Sequence, residues 1–519
     1  MYLKNKKVAV VGFSPRTGLE LVKYLKKYGA QIIVSDSKSR DQLADLISQV
    51  DSQNIKFDLG GNSQLLLEAE LILLSPGVPY DLKVLKKARS MGIETISEIE
   101  FAYRRCNAEI IAVTGTNGKT TTTDLLSSML ENLPGRNVMT AGNIGIPFIS
   151  VVDDLKEGDL VILELSSFQL EAVKQFKADT AVYLNFSPDH LDRHKTVENY
   201  KNAKKKIFSN QSSRDRALIN IDDSYLAQLE NELNAETFTV SSQSDSADVL
   251  IENKSITYRN KAGEKITLLD LTKFELPGIH NAENLAFASL AAYLNGQSLS
   301  KIQSAAENYT LKNHRMERVA NKKNYLVIDD SKATNPSAAL TALKSIDKDI
   351  ILIAGGQDRN ADFNELAAEI RKSVKKLLLI GETAEKIAKN LNSEVSNSLS
   401  INRKKSGSEI SNNEKINEEK TNKDKSILNK NKFKKKNLKM KNQEKFNSEK
   451  ISRGRADMLE EIKIFSSLEE AAAYGAEIMG KEQCLLLSPG CPSWDMFSSY
   501  KVRGEIFQKV VREKLIEAD

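Results

Sequence analysis

VTGTNGKTT, residues 113–121, is the stretch of sequence that decides the fold. The apolar run before it, at 110–113, predicts a buried parallel strand, and the apolar residues after it share one face of a helix: Leu125, Leu126, Met129 and Leu130. A strand, a glycine-containing loop and a helix in this order can cradle phosphate, because backbone N–H groups and the helix N-terminus face the anion. Lys119 would add a point charge, and Thr120 would place its hydroxyl on Mg²⁺.

The loop departs from the common phosphate-binding pattern G-x-x-x-x-G-K-[ST], since Val113 stands where the first glycine belongs. The tripeptide GKT alone would also fit an ordinary turn between a strand and a helix. The strand and helix patterns on either side favour the phosphate site.

The composition is that of a soluble globular protein, with 40% hydrophobic and 28% charged residues in 519. This length predicts two to four domains. No apolar run reaches the roughly 20 residues that span a bilayer, and the N-terminus leads directly into a strand, so we expect no signal peptide and a cytoplasmic location. Three cysteines, Cys106, Cys484 and Cys491, are too few and too scattered for a disulfide framework or a zinc site.

The net charge of +5 has a local origin. Residues 401–450 carry 16 Lys and Arg against 7 Asp and Glu, and the rest of the chain is slightly acidic. Basicity is therefore no sign of nucleic-acid binding by the folded body. The low-complexity region at 397–455 predicts a disordered insertion. The alternative is a polybasic tether for RNA or membrane lipid.

The first hundred residues alternate between strand and helix patterns. Strands at 8–11 and 32–34 flank a helix at 17–28, and Asp36 follows the second strand, as in a Rossmann-like unit. The loop from Gly12 to Gly18 lacks G-x-G-x-x-G, which disfavours a dinucleotide site. A further strand at 71–74 ends in a loop suited to a ligand.

Two later strands bring polar residues towards the phosphate loop. The strand at 159–164 ends in Glu164, and the strand at 180–185 is followed by His190. Ligands bind at the carboxyl edge of open parallel sheets, and hard oxygen ligands suit Mg²⁺. His190 is either a metal ligand or a hydrogen-bonded histidine.

A third α/β unit begins near residue 311, with strands at 325–328, 350–353, 377–380 and 484–487. Three of these strands end in polar loops, at 329–335, 355–359 and 488–493, which would lie along one sheet edge. A triphosphate site flanked by cation-bearing loops suits activation of a carboxylate by phosphoryl transfer, followed by capture of the product by a second substrate.

Nine different motifs follow one another along the chain: TGTNGKTTTT (114–123), GNIG (142–145), ELSSFQL (164–170), NFSPDHLDRH (185–194), YKNAK (200–204), GIHNAEN (278–284), HRME (314–317), DDSKATNP (329–336) and LSPGCPSWDMF (487–497). Together they closely resemble the Mur ligase family. The resemblance implies an α/β chain of three domains: a Rossmann-like N-terminal domain at 1–98 that binds a UDP substrate, a central P-loop-type mononucleotide-binding domain at 99–310, and a Rossmann-like C-terminal domain at 311–519 that binds an amino acid.

The activity that the resemblance implies is an ATP-dependent peptide ligation in peptidoglycan precursor synthesis, and hence in cell-wall biogenesis and cell division. ATP phosphorylates the terminal carboxylate of UDP-MurNAc-L-Ala, and the amine of D-glutamate attacks the acyl phosphate. Two Mg²⁺ ions, a monomer and no nucleic-acid partner are expected.

Site residues follow from the same resemblance, position by position. Four are expected to be catalytic: Lys119, His190, Lys204 and Lys332. ATP would be bound by Gly115, Thr116, Asn117, Gly118, Lys119, Thr120, Thr121, Asn281, Arg315 and Asp330. Metal ligands would be Thr120, Glu164, His190 and Lys204, the last as a carbamate. Substrate contacts would be Asp36, Ser37 and Lys38 for uracil, Asn143 for UDP-MurNAc, and Lys332, Thr334, Arg359, Ser493 and Tyr500 for D-glutamate.

Without the family resemblance, several of these residues could equally have a purely structural role. The lysine run 204–206 also suits a solvated helix face, and Asn281 also suits a helix cap. Two rival functions are another amide ligase of the same superfamily and a nucleotide-binding regulator without turnover. Ligand sites on three domains suggest that the domains close around substrates.

Overall fold

The computed structural model describes residues 3–252, 254–273, 278–310, 312–322, 325–391 and 458–517, with the side chains of 320–322 and 516–517 left aside. The predicted insertion at 397–455 lies outside the described residues. Among the described residues, three separate sheets follow one another along the chain. No helix in these ranges is both long and apolar enough to cross a membrane.

The first sheet has five parallel strands in the order β3-β2-β1-β4-β5. β4 reads LILL and is buried throughout, as a strand covered on both faces must be. Its elements are β1 (Lys7–Val11), α1 (Thr17–Lys27), β2 (Gln31–Asp36), α2 (Ala44–Ile47), β3 (Ile55–Leu59), β4 (Leu71–Leu74), α3 (Lys83–Ser90), β5 (Glu94–Ser97) and α4 (Glu98–Tyr103).

The middle sheet has nine strands in the order β14-β13-β12-β11-β10-β9-β6-β8-β7, and neighbouring strands are parallel except in the pairs β12–β13 and β13–β14. β6 lies between β8 and β9, so the ends of these three strands meet at one edge. The strands are β6 (Glu109–Thr114), β7 (Val138–Gly142), β8 (Leu160–Glu164), β9 (Thr180–Tyr183), β10 (Arg216–Asn220), β11 (Glu236–Ser241), β12 (Val249–Ile251), β13 (Ser255–Arg259) and β14 (Lys265–Asp270). The helices are α5 (Lys119–Leu130), α6 (Ser167–Leu170), α7 (Leu191–His194), α8 (Val197–Lys205), α9 (Ser224–Leu229), α10 (Ile279–Leu294) and α11 (Leu299–Glu307).

The third sheet has six strands in the order β15-β16-β20-β17-β18-β19, and only β15 is antiparallel to its neighbour. Its elements are β15 (Glu317–Lys322), β16 (Tyr325–Asp329), α12 (Pro336–Lys344), β17 (Asp349–Gly355), α13 (Asn364–Ser373), β18 (Val374–Ile380), α14 (Ala384–Leu391), β19 (Glu461–Ile464), α15 (Leu468–Ile478), β20 (Gln483–Leu487) and α16 (Tyr500–Glu517). The four strands predicted for this domain correspond to β16, β17, β18 and β20.

Arg371, in α13, is bonded to both Leu391 at the end of α14 and Met458 shortly before β19. Its guanidinium donates to the carbonyl of Leu391 at 2.9 Å, and its own carbonyl accepts from the Met458 N–H at 2.8 Å. α14 ends and the parallel edge strand β19 begins on the side of the sheet opposite the carboxyl ends of the strands.

Candidate active site

The phosphate loop is shaped by one left-handed glycine. Gly118 has φ +83° and immediately precedes α5. A Cβ at this position would lie 2.4 Å from Oδ1 of Asn284, so a side chain here would be both strained and blocked. Asn185 accepts the backbone N–H groups of Thr116 and Asn117 and so fixes the loop against the end of β9.

Two lysines converge on the carbonyl oxygen of Gly115. Lys119 donates to it at 2.8 Å, and Lys204 donates to it at 2.6 Å. Lys204 is only 1% exposed. Burial lowers the pKa of Lys204 well below its usual range, and the Lys119 ammonium lowers it further, while Glu164 and Asp189 oppose the shift. Burial also lowers the pKa of Lys119.

Glu164 is the last residue of β8, and its two carboxylate oxygens have different surroundings. Asn143 Nδ2 donates to Oε1 at 2.6 Å. Oε2 is buried and has no hydrogen-bond partner among the described residues. A buried unpaired carboxylate oxygen beside a phosphate loop has the chemistry of a divalent-cation ligand.

His190 lies in the left-handed region at φ +54°, just before α7. Its ring packs edge-on against Phe168, and Arg359 Nη1 lies 3.2 Å from its Nδ1. Burial lowers the pKa of the imidazole, so the neutral ring that can ligate a metal is favoured. Asp189, which sequence reasoning did not single out, faces the same ring, with its Oδ2 3.7 Å from Nε2.

Arg16 joins the first domain to this edge of the middle sheet and was also missed from the sequence. Its Nη1 donates to the carbonyl of Asn143 at 2.7 Å, and its Nη2 donates to that of Gly142 at 2.6 Å. The backbone N–H of Asn143 in turn donates to the Glu164 carbonyl at 2.6 Å. The one available signal was a cation within the Gly12–Gly18 loop.

Asp36 organises that same loop from the end of β2. Its Oδ2 accepts the N–H of Phe13 at 2.6 Å, and its Oδ1 accepts the N–H of Lys38 at 2.9 Å. Ser37 and Lys38 are exposed. These predicted uracil contacts form a cluster on the first sheet, separate from the phosphate loop on the middle sheet.

The loop after β16 carries Asp330 and Lys332. Burial raises the pKa of Asp330 to about 7, although Ser488 Oγ donates to its carboxylate at 2.9 Å. Burial lowers the pKa of Lys332 to about 8, and nearby Arg315 acts in the same direction. The Lys332 ammonium lies 4.0 Å from the centre of the Tyr500 ring.

Several side chains support this loop, and two of them, Arg503 and Gln508, lie outside every motif singled out in the sequence. Arg503, 1% exposed, donates to the carbonyls of Ser331 and Cys491 at 2.7 and 3.0 Å. His314 Nδ1 lies 2.7 Å from Asp329 Oδ2, and Gln508 donates to the same oxygen at 2.8 Å. Hydrogen bonds thus occupy His314 and Asp329, which argues against a metal site there despite the nearby carboxylate of Glu317.

Known proteins match the whole length of this arrangement. Family models match residues 6–97 as a Mur ligase MurD-like N-terminal domain, 113–292 as a Mur ligase middle domain, and 314–426 as a Mur ligase glutamate ligase domain. A UDP-N-acetylmuramoylalanine--D-glutamate ligase from Thermoanaerobacter pseudethanolicus is 36% identical, with 99% of each chain covered. The enzyme of the same name from Alkaliphilus metalliredigens is 35% identical and covers 98% of this chain and 99% of its own.

The chain belongs to the Mur ligase family. The MurF ligase from Thermotoga maritima in complex with ADP shares the fold, with a TM-score of 0.54 at 16% identity over 100% of this chain and 96% of that one. The predicted family, α/β fold class and ligase activity are confirmed. The family assignment also supports ATP and Mg²⁺ as cofactors.

In this Mur ligase the predicted residues fall into three groups, one in each domain, and Asn281 in α10 belongs to the middle domain. The phosphate-loop residues 115–121 lie with Glu164, His190, Lys204 and Asn143 at one edge of the middle sheet, and Arg359 reaches them from the third domain. Asn281, near the start of α10, is buried. Arg315, Asp330, Lys332, Thr334, Ser493 and Tyr500 lie on the loops of the third domain and at the start of α16. Asp36, Ser37 and Lys38 stay with the first sheet.

Proposed function

We propose that this Mur ligase joins D-glutamate to UDP-N-acetylmuramoyl-L-alanine with cleavage of ATP to ADP and phosphate. The observation that carries the proposal is the convergence of Lys119, Lys204 and Glu164 at the mouth of one phosphate loop, with Lys332 and Arg359 presented from a facing domain. The relatives that cover nearly all of the chain are named for this reaction.

In the first step a carboxylate oxygen of the L-alanyl group attacks the γ-phosphorus of ATP, and ADP leaves. Loop N–H groups and Lys119 hold the phosphates and offset the charge that develops on them. Thr120, Glu164 and His190 would hold Mg²⁺, which when bound supplies positive charge on the phosphate oxygens. The open Oε2 of Glu164 and the neutral ring of His190 fit that role.

In the second step the D-glutamate amine attacks the acyl carbon, phosphate leaves, and the nitrogen loses a proton to give the amide. Lys332, Thr334, Arg359, Ser493 and Tyr500 would hold the amino acid. Trp494 stacks on the Arg359 guanidinium at 4.8 Å and so restricts its orientation. Asn281, Arg315 and Asp330 would bind the adenosine side of ATP, and Asp36, Ser37, Lys38 and Asn143 the UDP-sugar.

Lys204 would act as a carbamate. Its depressed pKa leaves a larger neutral fraction than an ordinary lysine has, and the neutral amine is the form that adds CO₂. The product is an anion beside Lys119, which replaces a like-charge pair by an opposite pair and gives a second Mg²⁺ an oxygen ligand. The proposal also includes a cytoplasmic monomer without a nucleic-acid partner.

An amino-acid panel tests the function directly. Phosphate release with UDP-MurNAc-L-Ala and ATP should require D-glutamate and fail with L-glutamate, L-alanine, meso-diaminopimelate or L-lysine. Release with one of those and not with D-glutamate would assign the chain to another ligase of the family. ATP binding without release for any amino acid would support the non-catalytic alternative.

A further inference from the structure

Asn335 spans the boundary between the third domain and the phosphate loop. Its Nδ2 donates to Oδ1 of Asn117 and to Oδ2 of Asp189, each at 3.1 Å. Its Oδ1 accepts the N–H of Ala338 at 2.9 Å and so caps α12. One 6% exposed side chain therefore uses both ends of its amide, one within its own domain and one across the boundary.

The two acceptors belong to the two halves of the candidate site. Asn117 is part of the phosphate loop, and its backbone N–H is fixed by Asn185. Asp189 precedes His190 and accepts that residue's backbone N–H through its other oxygen, Oδ1, at 2.7 Å. A single amide group thus touches the segment that would hold phosphate and the segment that would hold metal.

On its own side, Asn335 ends the loop that presents the amino-acid site. Lys332 lies three residues earlier, and Pro336 begins α12 immediately after. The cap fixes the direction in which this loop enters the helix. The position of Lys332 relative to the phosphate loop is therefore set partly through Asn335.

We propose that Asn335 is a positioning residue that aligns the amino-acid-binding loop of the third domain with the phosphate and metal segments of the middle domain. This inference rests on the proposed function. A helix cap alone would need only the Oδ1 contact. The donation from Nδ2 to a carboxylate across the boundary is the contact that a cap does not require, and hydrogen bonds to charged acceptors are the stronger class.

Two substitutions separate the cap from the alignment. Asn335→Ser keeps a good helix cap and removes the donor across the boundary. Asn335→Asp also keeps the cap and places a carboxylate against that of Asp189. Ser337→Ala is the matched control, because the Ser337 hydroxyl, at the same helix start, accepts a long 3.4 Å hydrogen bond from Asn117 Nδ2 and makes no hydrogen bond to Asp189 among the described residues.

We expect Asn335→Ser to lower kcat about tenfold and Asn335→Asp about a hundredfold. The KM for D-glutamate should rise, while the KM for UDP-MurNAc-L-Ala stays near that of the wild type because that substrate is bound by the other two domains. Melting temperatures of Asn335→Ser and Ser337→Ala should match the wild type. Unchanged kcat and KM in Asn335→Ser would overturn the proposal, as would a loss fully accounted for by a lower melting temperature.

Small-angle X-ray scattering gives a readout that needs no turnover. Asn335→Asp should have a larger radius of gyration than the wild type, and Ser337→Ala should not. An unchanged radius for Asn335→Asp would count against the proposal. If the wild type shows no D-glutamate-dependent phosphate release, the proposed function fails, whereas the scattering comparison still tests whether Asn335 joins the domains.

Discussion

Lys119 and Lys204 donate hydrogen bonds to one and the same carbonyl oxygen, that of Gly115. Two ammonium groups around a single acceptor in a buried site repel each other. The arrangement becomes favourable when one of them changes sign. Carbamoylation of Lys204 would produce that change.

Replacing Lys204 by alanine should therefore lower kcat at least about a hundredfold, since it would remove the carbamate that we propose as a metal ligand. A short carboxylic acid such as acetate should restore part of the activity, and removal of bicarbonate should reduce activity in the wild type. Lys205→Ala is the matched control, because Lys205 lies next in α8 and forms an exposed ion pair with Glu232. Full activity of Lys204→Ala would refute the carbamate.

Glu164→Gln should weaken metal binding, because it converts the open Oε2 into a neutral amide position while Oε1 can still accept from Asn143. The Mg²⁺ concentration for half-maximal phosphate release should rise about tenfold or more. Direct titration with Mn²⁺, followed by electron paramagnetic resonance, should show the same loss. Glu109→Gln, at the opposite end of the neighbouring strand, should leave both values unchanged. Equal Mn²⁺ affinity in Glu164→Gln and wild type would exclude Glu164 as a ligand.

Arg16→Met should raise the KM for UDP-MurNAc-L-Ala about tenfold, the effect of losing roughly one charged hydrogen bond. Arg16 holds the Gly142–Asn143 segment, and Asn143 is the expected substrate contact. The KM for D-glutamate should change little. Lys27→Met is the control, since it breaks another contact between the first and middle domains, the exposed ion pair with Asp153. A matching rise in KM for Lys27→Met would mean that any loosening of the domain boundary has this effect.

Glu98→Gln should stabilise the protein at neutral and alkaline pH. Glu98 is 1% exposed, and burial raises the pKa of its carboxyl to about 7. The folded state therefore binds a proton more tightly than the unfolded state, so stability falls as the pH rises from about 4.5 to about 7. The amide avoids this penalty, and its Oε1 can still accept the Ile149 N–H at 2.7 Å.

The gain in unfolding free energy for Glu98→Gln should be near zero at pH 4 and reach about 3 kcal/mol above pH 7. Urea unfolding at both pH values measures it. Glu20→Gln, which removes an exposed partner of Lys23, should show no such dependence. A gain that does not vary with pH would mean that Glu98 does not bind its proton more tightly in the folded state.

Local sequence patterns were sufficient to predict the secondary structure next to the site. The predicted strand at 110–113, the phosphate loop and the following helix correspond to β6 and α5, because hydrophobic period and glycine placement are local signals. β15 and β19 were not predicted. Both are edge strands. β19 pairs with β18, which lies far earlier in the chain, whereas β15 pairs with the neighbouring β16 and its pattern was simply not recognised.

Residue composition does not indicate which lysine around Lys204 belongs to the candidate site. Its run contains Lys201, Lys204, Lys205 and Lys206, and composition does not distinguish them. In the structure, α8 buries Tyr200, Ala203 and Lys204 on one face. Family resemblance singled out Lys204, the buried lysine of this run, because a family motif carries the tertiary context that a single charged run lacks. Arg16, Asn335 and Arg503 were missed for the same reason, since each acts through contacts with residues far away in sequence.

Arg371 has a consequence for the placement of β19. The carbonyl of Leu391 and the N–H of Met458 are both bonded to this one residue, away from the carboxyl edge where the site lies. β19 is also paired in parallel with β18. The position of β19 is therefore set by α13 and β18, and a change in the number of residues between 391 and 458 should leave the third sheet and the site in place.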